Sequence, residues 1–236
     1  LGYLVGSLAS ATGFLGGNRR AWALWALTLS VATTGAMALT VSIPTFLILR
    51  FVGGACSALV MVFGSALVFD RLTSARRPNL MHIHFAGVGT GMAASAVIIA
   101  GLGAISIGWT GQWLASALAG LIALVLIIFM LPAGKDDTTA PSTGGSSRID
   151  RRMIPLSLSY GLFGFGYVIT ATFISLLVRQ TPSIATIEPM IWLIVGLAAI
   201  PSVALWTWIG RRLGNPASIA LACLVEAVGV ATTVVF

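Results

Sequence analysis

Apolar positions run almost without interruption along this chain, and the one long polar stretch is PAGKDDTTAPSTGGSSRIDRR, Pro132 to Arg152. Its seven charged residues, set among Pro, Gly, Ser and Thr, make burial costly and mark a solvated linker. A helix needs about 20 residues to cross about 30 Å of hydrocarbon while satisfying its own backbone groups, and the apolar runs on either side have that length. The pattern predicts eight spans, at 1-17, 21-40, 44-69, 85-105, 113-131, 154-178, 188-209 and 217-236, the first of them short. The expected fold class is therefore an all-α polytopic membrane protein. Residues 1-131 carry five spans, 132-152 form the linker, and 153-236 carry three.

Composition agrees with lipid as the solvent. Of the 236 residues 58% are hydrophobic and only 8% charged, with a mean hydropathy of +1.01, whereas about 25% of a soluble domain is charged. A formal charge of +7 would suggest nucleic acid in a soluble chain, but no recognition helix or aromatic-basic interleaving accompanies it, so no nucleic-acid partner is expected. Cys56 and Cys223 lie inside apolar runs and read as small packing residues. Apolar residues follow Leu1 at once, without the charged region of a signal peptide, so the sequence reads as part of a longer chain.

Position explains the charge. Eleven of the thirteen basic residues, among them Arg19, Arg20, Arg71, Arg76, Arg77, Arg211 and Arg212, fall in alternate connections together with the linker. That bias is the positive-inside pattern, and it places those turns and the linker in the cytoplasm. Arg179 falls on the other side and Arg50 inside a span.

Small residues recur at four-residue spacing in three series: Gly2, Gly6 and Ser10; Ala9, Gly13 and Gly17; and Gly87, Gly91 and Ser95. Such faces let helices approach closely in lipid. Pro44, Pro155, Pro189 and Pro216 stand near helix starts, where a missing N–H costs little. Pro201 falls well inside a span, where with Gly196 it is expected to bend the helix.

Polar residues within the spans supply the candidate chemistry. Arg50 sits about 9 Å beyond Pro44 at 1.5 Å per residue, and is expected to face protein or a wet cavity, or to snorkel to the outer interface. Glu226 is near mid-depth of the last span, where a carboxyl either finds a partner or takes up a proton, which makes it a candidate proton carrier. His82 and His84 form HIH at a membrane edge, a weak metal pattern without convergent Cys, Asp or Glu, and solvation at the interface is the simpler reading. Asp70 closes the third span and is positioned to pair with Arg19 or Arg20. Tyr167 and Trp192 are candidates to line a pathway or to anchor at an interface. Phosphate-binding loop, HExxH, GxSxG and thiolate cluster are all missing from the sequence, so neither an enzyme nor a metal or cofactor site is expected.

The segment LRFVGGACSALVMVFGSALVFDRL resembles the fourth helix of the major facilitator superfamily, with Arg50 four positions before Gly54 and small residues beyond. GFLGGNRR, ending in Arg19 and Arg20, resembles that family's basic cytoplasmic turn between helices two and three, without its Asp. GRRLGN, containing Arg211 and Arg212, resembles the repeat of that turn in the second half. The span after His84 resembles helix five without the Gly-Pro pair of many antiporters.

The resemblance implies a partial bundle equivalent to helices two through nine of a bacterial, efflux-like member. It further implies a monomer in the inner membrane, and a small organic solute moved by alternating access, with an ion gradient, most naturally protons, as the energy source for export or antiport. The spans holding Arg50, Gly87, Tyr167 and Trp192 would line the central cavity, and the span of Glu226 would lie more peripherally. A passive channel and a structural module of a membrane assembly are the alternatives.

Overall fold

Helix starts are written locally in this chain. Asn18 precedes the basic pair, and its Oδ1 accepts from the Ala21 N–H at 2.9 Å, satisfying one of the donors that a helix leaves open at its first turn. Pro44 and Pro216 each take the second position of a helix, where no N–H is required. The computed structural model describes residues 1–12, 15, 17–130 and 153–235. Gly13, the linker 132-152 and Phe236 lie outside the described residues.

Among the described residues eight α-helices follow in order: α1 Gly2–Ala11, α2 Arg19–Met37, α3 Ile43–Ser74, α4 Met81–Ala104, α5 Trp109–Met130, α6 Met153–Gln180, α7 Ile191–Leu213 and α8 Asn215–Val235. Short 3-10 turns at Pro78–Leu80 and Ala185–Met190 precede α4 and α7. No strand occurs among the described residues. By length and composition six runs among the described residues can cross a membrane, those of α3, α4, α5, α6, α7 and α8. At ten residues α1 is too short to span. The 19 residues of α2 reach about 28 Å, but begin with two arginines and include four hydroxyl side chains.

The edges depart from expectation where a helix outruns the hydrocarbon. At 32 residues α3 is about 48 Å long, so Asp70 and Arg71 continue its helix beyond the apolar run. α4 starts at Met81, which puts His82 and His84 on a helix and corrects the expectation that they belong to the preceding loop. Charge near a membrane surface does not end a helix; a missing donor or a left-handed residue does.

Burial falls on small side chains more often than on large ones. Ala26, Cys56, Ala58, Ala93 and Ala96 are buried, whereas Leu29, Leu47, Phe129, Leu162 and Phe173 are exposed. An apolar surface of that extent is unfavourable in water and ordinary in lipid, where association relies on close packing and not on hiding apolar area. The fold is a multi-pass membrane bundle.

Two compact units divide the described residues. The first takes in Leu1–His84 and 97–130; the second takes in Phe85–Ala96 and 153–235. Within the first, α3 packs against α1 and α2, and α2 against α5. Gly2 and Gly6 are buried on α3: a methyl group at Gly6 would come 2.5 Å from the Ala55 carbonyl oxygen, and one at Gly2 would collide with the Phe51 carbonyl. The Phe46 and Trp113 rings meet edge to face at 6.0 Å, joining α3 to α5.

Within the second unit, the middle of α4 crosses α7 at Gly89 and Gly196, where a methyl on Gly196 would come 2.5 Å from the Ala93 nitrogen and 2.7 Å from the Gly89 oxygen. The packed face of α4 here is therefore Gly89, Ala93 and Ala96. The expected series Gly87, Gly91 and Ser95 is exposed, with open space around both glycines. Four-residue spacing occurs on both faces of this glycine-rich helix, and the backbone of α7 selects one of them.

Candidate functional site

Among the described residues, Asp70, His84 and Glu226 mark three places that hold candidate titratable side chains, two in the first unit and one in the second. The first joins the start of α2 to the end of α3. Asn18 sets the α2 start so that Arg19 Nη1 reaches Asp70 Oδ2 at 2.7 Å. Side-chain exposure is 29% for Arg19 and 67% for Asp70, so water screens the pair and its stabilisation is about 1 kcal/mol or less. Asp70 thus takes Arg19 of the two partners open to it, and Arg20 has an interaction of its own.

The second place surrounds His84. In the first turn of α4 its Nε2 lies 3.0 Å from Ser65 Oγ on α3, and its ring meets Phe69 edge to face at 5.9 Å. The half-buried imidazole forms part of a cleft of about 400 Å³ whose other walls are Leu24, Leu27, Met61, Gly64 and Met130. Solvation at an interface therefore does not describe His84: it is an interhelical contact on the wall of an apolar cleft. Nothing in the local sequence announces Ser65, nineteen residues away, because its meaning depends on how α3 and α4 pack.

Glu226 occupies the third place. Its Oε1 is buried and has no hydrogen-bond partner among the described residues. It sits against Gly166 of α6, where a methyl group would come 3.0 Å from Oε1. With Ser159, Leu162, Phe163, Cys223 and Val230 these two residues surround a cleft of about 590 Å³ between α6 and α8.

Other candidates have packing partners or none. Gly54 lies under α1, with room for a methyl group only 3.2 Å from the Tyr3 nitrogen, so its smallness serves the α1–α3 crossing. Arg50, one turn earlier, is exposed, and among the described residues it has no carboxylate within ion-pair distance. Gly87 and Tyr167 are exposed. Trp192 Nε1 donates to Ser175 Oγ at 3.2 Å, tying the start of α7 to α6. Close by in sequence, Arg179 pairs with Glu188 at 2.9 Å, a bridge across the α6–α7 connection that sequence reading did not single out. α7 is assigned as one helix through the exposed Pro201. Arg212 lies over the Trp208 ring at 5.5 Å, and Arg211 borders a cleft with Asn215 and Ser218. Among the described residues no group of three or more His, Cys, Asp or Glu is placed to hold a metal ion.

Comparison with known proteins is consistent with this architecture. The model of a family described as "Uncharacterised MFS-type transporter YbfB" matches residues 1–236. The chain is 35% identical over 89 residues to the "Uncharacterized MFS-type transporter YbcL" of Bacillus subtilis (strain 168). That match covers 36% of this chain and 23% of the relative, so the chain spans less than a quarter of the curated relative it matches. No solved structure matches.

Proposed function

We propose a secondary transporter of a small organic solute, on the premise that this chain belongs to the MFS-type transporter family whose model it matches along residues 1–236. That match carries the reading. It makes the chain part of a multi-pass membrane transporter rather than an enzyme, and the six long apolar runs agree with it. Its partners are the bilayer and an unassigned solute.

Alternating access is the mechanism. Residues 1-131 and 153-236 act as two helical segments joined on the cytoplasmic side by 132-152, and the spans holding Arg50, Gly87, Tyr167 and Trp192 are the candidates to line the solute path. The Arg19–Asp70 pair is a contact suited to a gate, since an exposed ion pair at a helix end costs little to break. Arg211 and Arg212 occupy the corresponding turn of the second segment, and Pro201 gives α7 a place to bend. An ion gradient, with protons as the carrier, drives export across the bacterial inner membrane, and the full protein works as a monomer.

Support for a gated cavity comes from Arg50. A guanidinium seven residues past the start of α3, about 10 Å along its axis, without a carboxylate partner among the described residues, suits a water-filled path better than lipid. Arg50→Ala is expected to insert into the membrane at wild-type levels and to lose at least about tenfold in transport, the worth of one charge-assisted contact. The reading itself is tested in proteoliposomes with an imposed pH gradient. Solute flux that follows the gradient and saturates is the expected result; flux indifferent to the gradient defeats proton coupling, and non-saturating flux defeats the carrier.

A further inference from the structure

We infer that the cleft between α6 and α8 is a binding subsite for a monovalent lipophilic cation, with the Glu226 carboxyl as its charge partner. Glu226 and Cys223 share one face of α8 with Ala227 and Val230, at the spacing of three, four and seven that brings side chains together on a helix. Across from them α6 presents Leu162, Phe163 and Gly166. The cleft, open on one side and about 590 Å³ in volume, is of the size that holds a small organic molecule, and its walls are apolar apart from Ser159, Cys223 and Glu226.

The chemistry of the cleft is unbalanced. Glu226 Oε1 is buried without a hydrogen-bond partner among the described residues, and an acceptor left in that state is costly. The guanidinium groups described in this unit stand elsewhere: Arg179 is held by Glu188 beyond the far end of α6, and Arg211 and Arg212 are in the last turn of α7. Gly166 adds to the case because its missing side chain gives the carboxylate oxygen its place, and its own carbonyl accepts from Thr170 Oγ1 at 3.2 Å. An acidic oxygen in an apolar cleft, with the Phe163 ring on the wall, is complementary to a cation clothed in hydrocarbon: the charge pairs with the carboxyl and the ring, and the rest fills the cleft.

Depth separates a ligand from a lipid headgroup. Glu226 lies eleven residues into α8, about 16 Å along the axis, and so near the middle of a helix whose ends meet the headgroups. Choline and ethanolamine groups do not reach that level.

This assignment rests on the transporter reading only in calling the cation a solute to be moved, so its test measures binding. Tetraphenylphosphonium is titrated into the purified protein in detergent, with the uncharged triphenylphosphine oxide as the matched control. Wild type is expected to bind the cation saturably and the control weakly. Glu226→Gln, which keeps the size of the side chain and replaces the acid by an amide, is expected to weaken cation binding roughly tenfold to a hundredfold while leaving the control unchanged. Gly166→Ala, a milder change that displaces the carboxyl, is expected to weaken the cation in the same direction and guards against a Glu226→Gln protein that fails to fold. Absence of cation binding by wild type, equal binding by Glu226→Gln, or parallel loss of cation and control overturns the assignment. Gradient-driven flux in proteoliposomes stands or falls separately.

Discussion

Arg76 and Ser106 adopt left-handed backbone conformations, with φ of 56° and 61°, that L-residues with a side chain rarely take. Both close a helix in the same way. The Arg77 N–H reaches back to Leu72 O at 2.8 Å and the Arg76 N–H to Thr73 O at 2.9 Å; Ile107 and Ser106 repeat this on Leu102 and Gly103. The double closure satisfies the open carbonyls of α3 and α4 and prefers glycine at its left-handed position. Arg76→Gly should therefore raise stability by about 0.5–1 kcal/mol, measured by thermal unfolding in detergent, and an unchanged or lower midpoint would contradict it. The Arg19–Asp70 pair calls for the opposite expectation. Because both groups see water, Asp70→Asn should change stability by about 1 kcal/mol or less, so that a large loss of transport at unchanged melting temperature would mark the pair as a gate contact.

Between helices, glycine acts through distance more than through flexibility. At the α4–α7 crossing within the second unit the obstacle to a methyl group on Gly196 is backbone, the Ala93 nitrogen and the Gly89 oxygen, which cannot rotate aside. Gly196→Ala should cost about 1–3 kcal/mol by forcing the helices apart, read as a lowered melting temperature. Gly91→Ala, two residues from Gly89 in a place with nothing near it, should be neutral or stabilising by up to about 1 kcal/mol. The reverse order would mean that Gly87, Gly91 and Ser95 form the packed face after all. This pair of substitutions shows why the interface was hard to read from the chain: Gly87, Gly89 and Gly91 alternate along α4, and their spacings serve either face equally well.

At the scale of the molecule, the proposed orientation turns on the linker. The alternate placement of Arg19, Arg20, Arg71, Arg76, Arg77, Arg211 and Arg212 in the sequence is the ground for proposing that 132-152 faces the cytoplasm. A cysteine introduced at Thr138, with Cys56 and Cys223 replaced by alanine, should react with an impermeant maleimide in inside-out vesicles and remain unlabelled in right-side-out ones. Labelling from the outer face would overturn both the topology and the two-segment mechanism built on it. His84 in the first unit and Glu226 in the second each stand on the wall of an apolar cleft. Both residues stood out in the sequence as polar positions in or beside spans; Ser65 did not, because it becomes informative only when a second helix lies against it.

Sequence by itself determined the class of this protein, since twenty-residue apolar runs in lipid have no alternative to helices that close their own hydrogen bonds. It also marked two of the helix starts, at Pro44 and Pro216, and showed which side chains are costly enough in a span to ask for an explanation. Tertiary structure alone decided the partners: Asp70 with Arg19, His84 with Ser65, Trp192 with Ser175, and Glu226 with no protein group among the described residues. The physical reason is that helix formation follows from bonds within one segment, whereas which face meets which depends on the shapes of two surfaces at once.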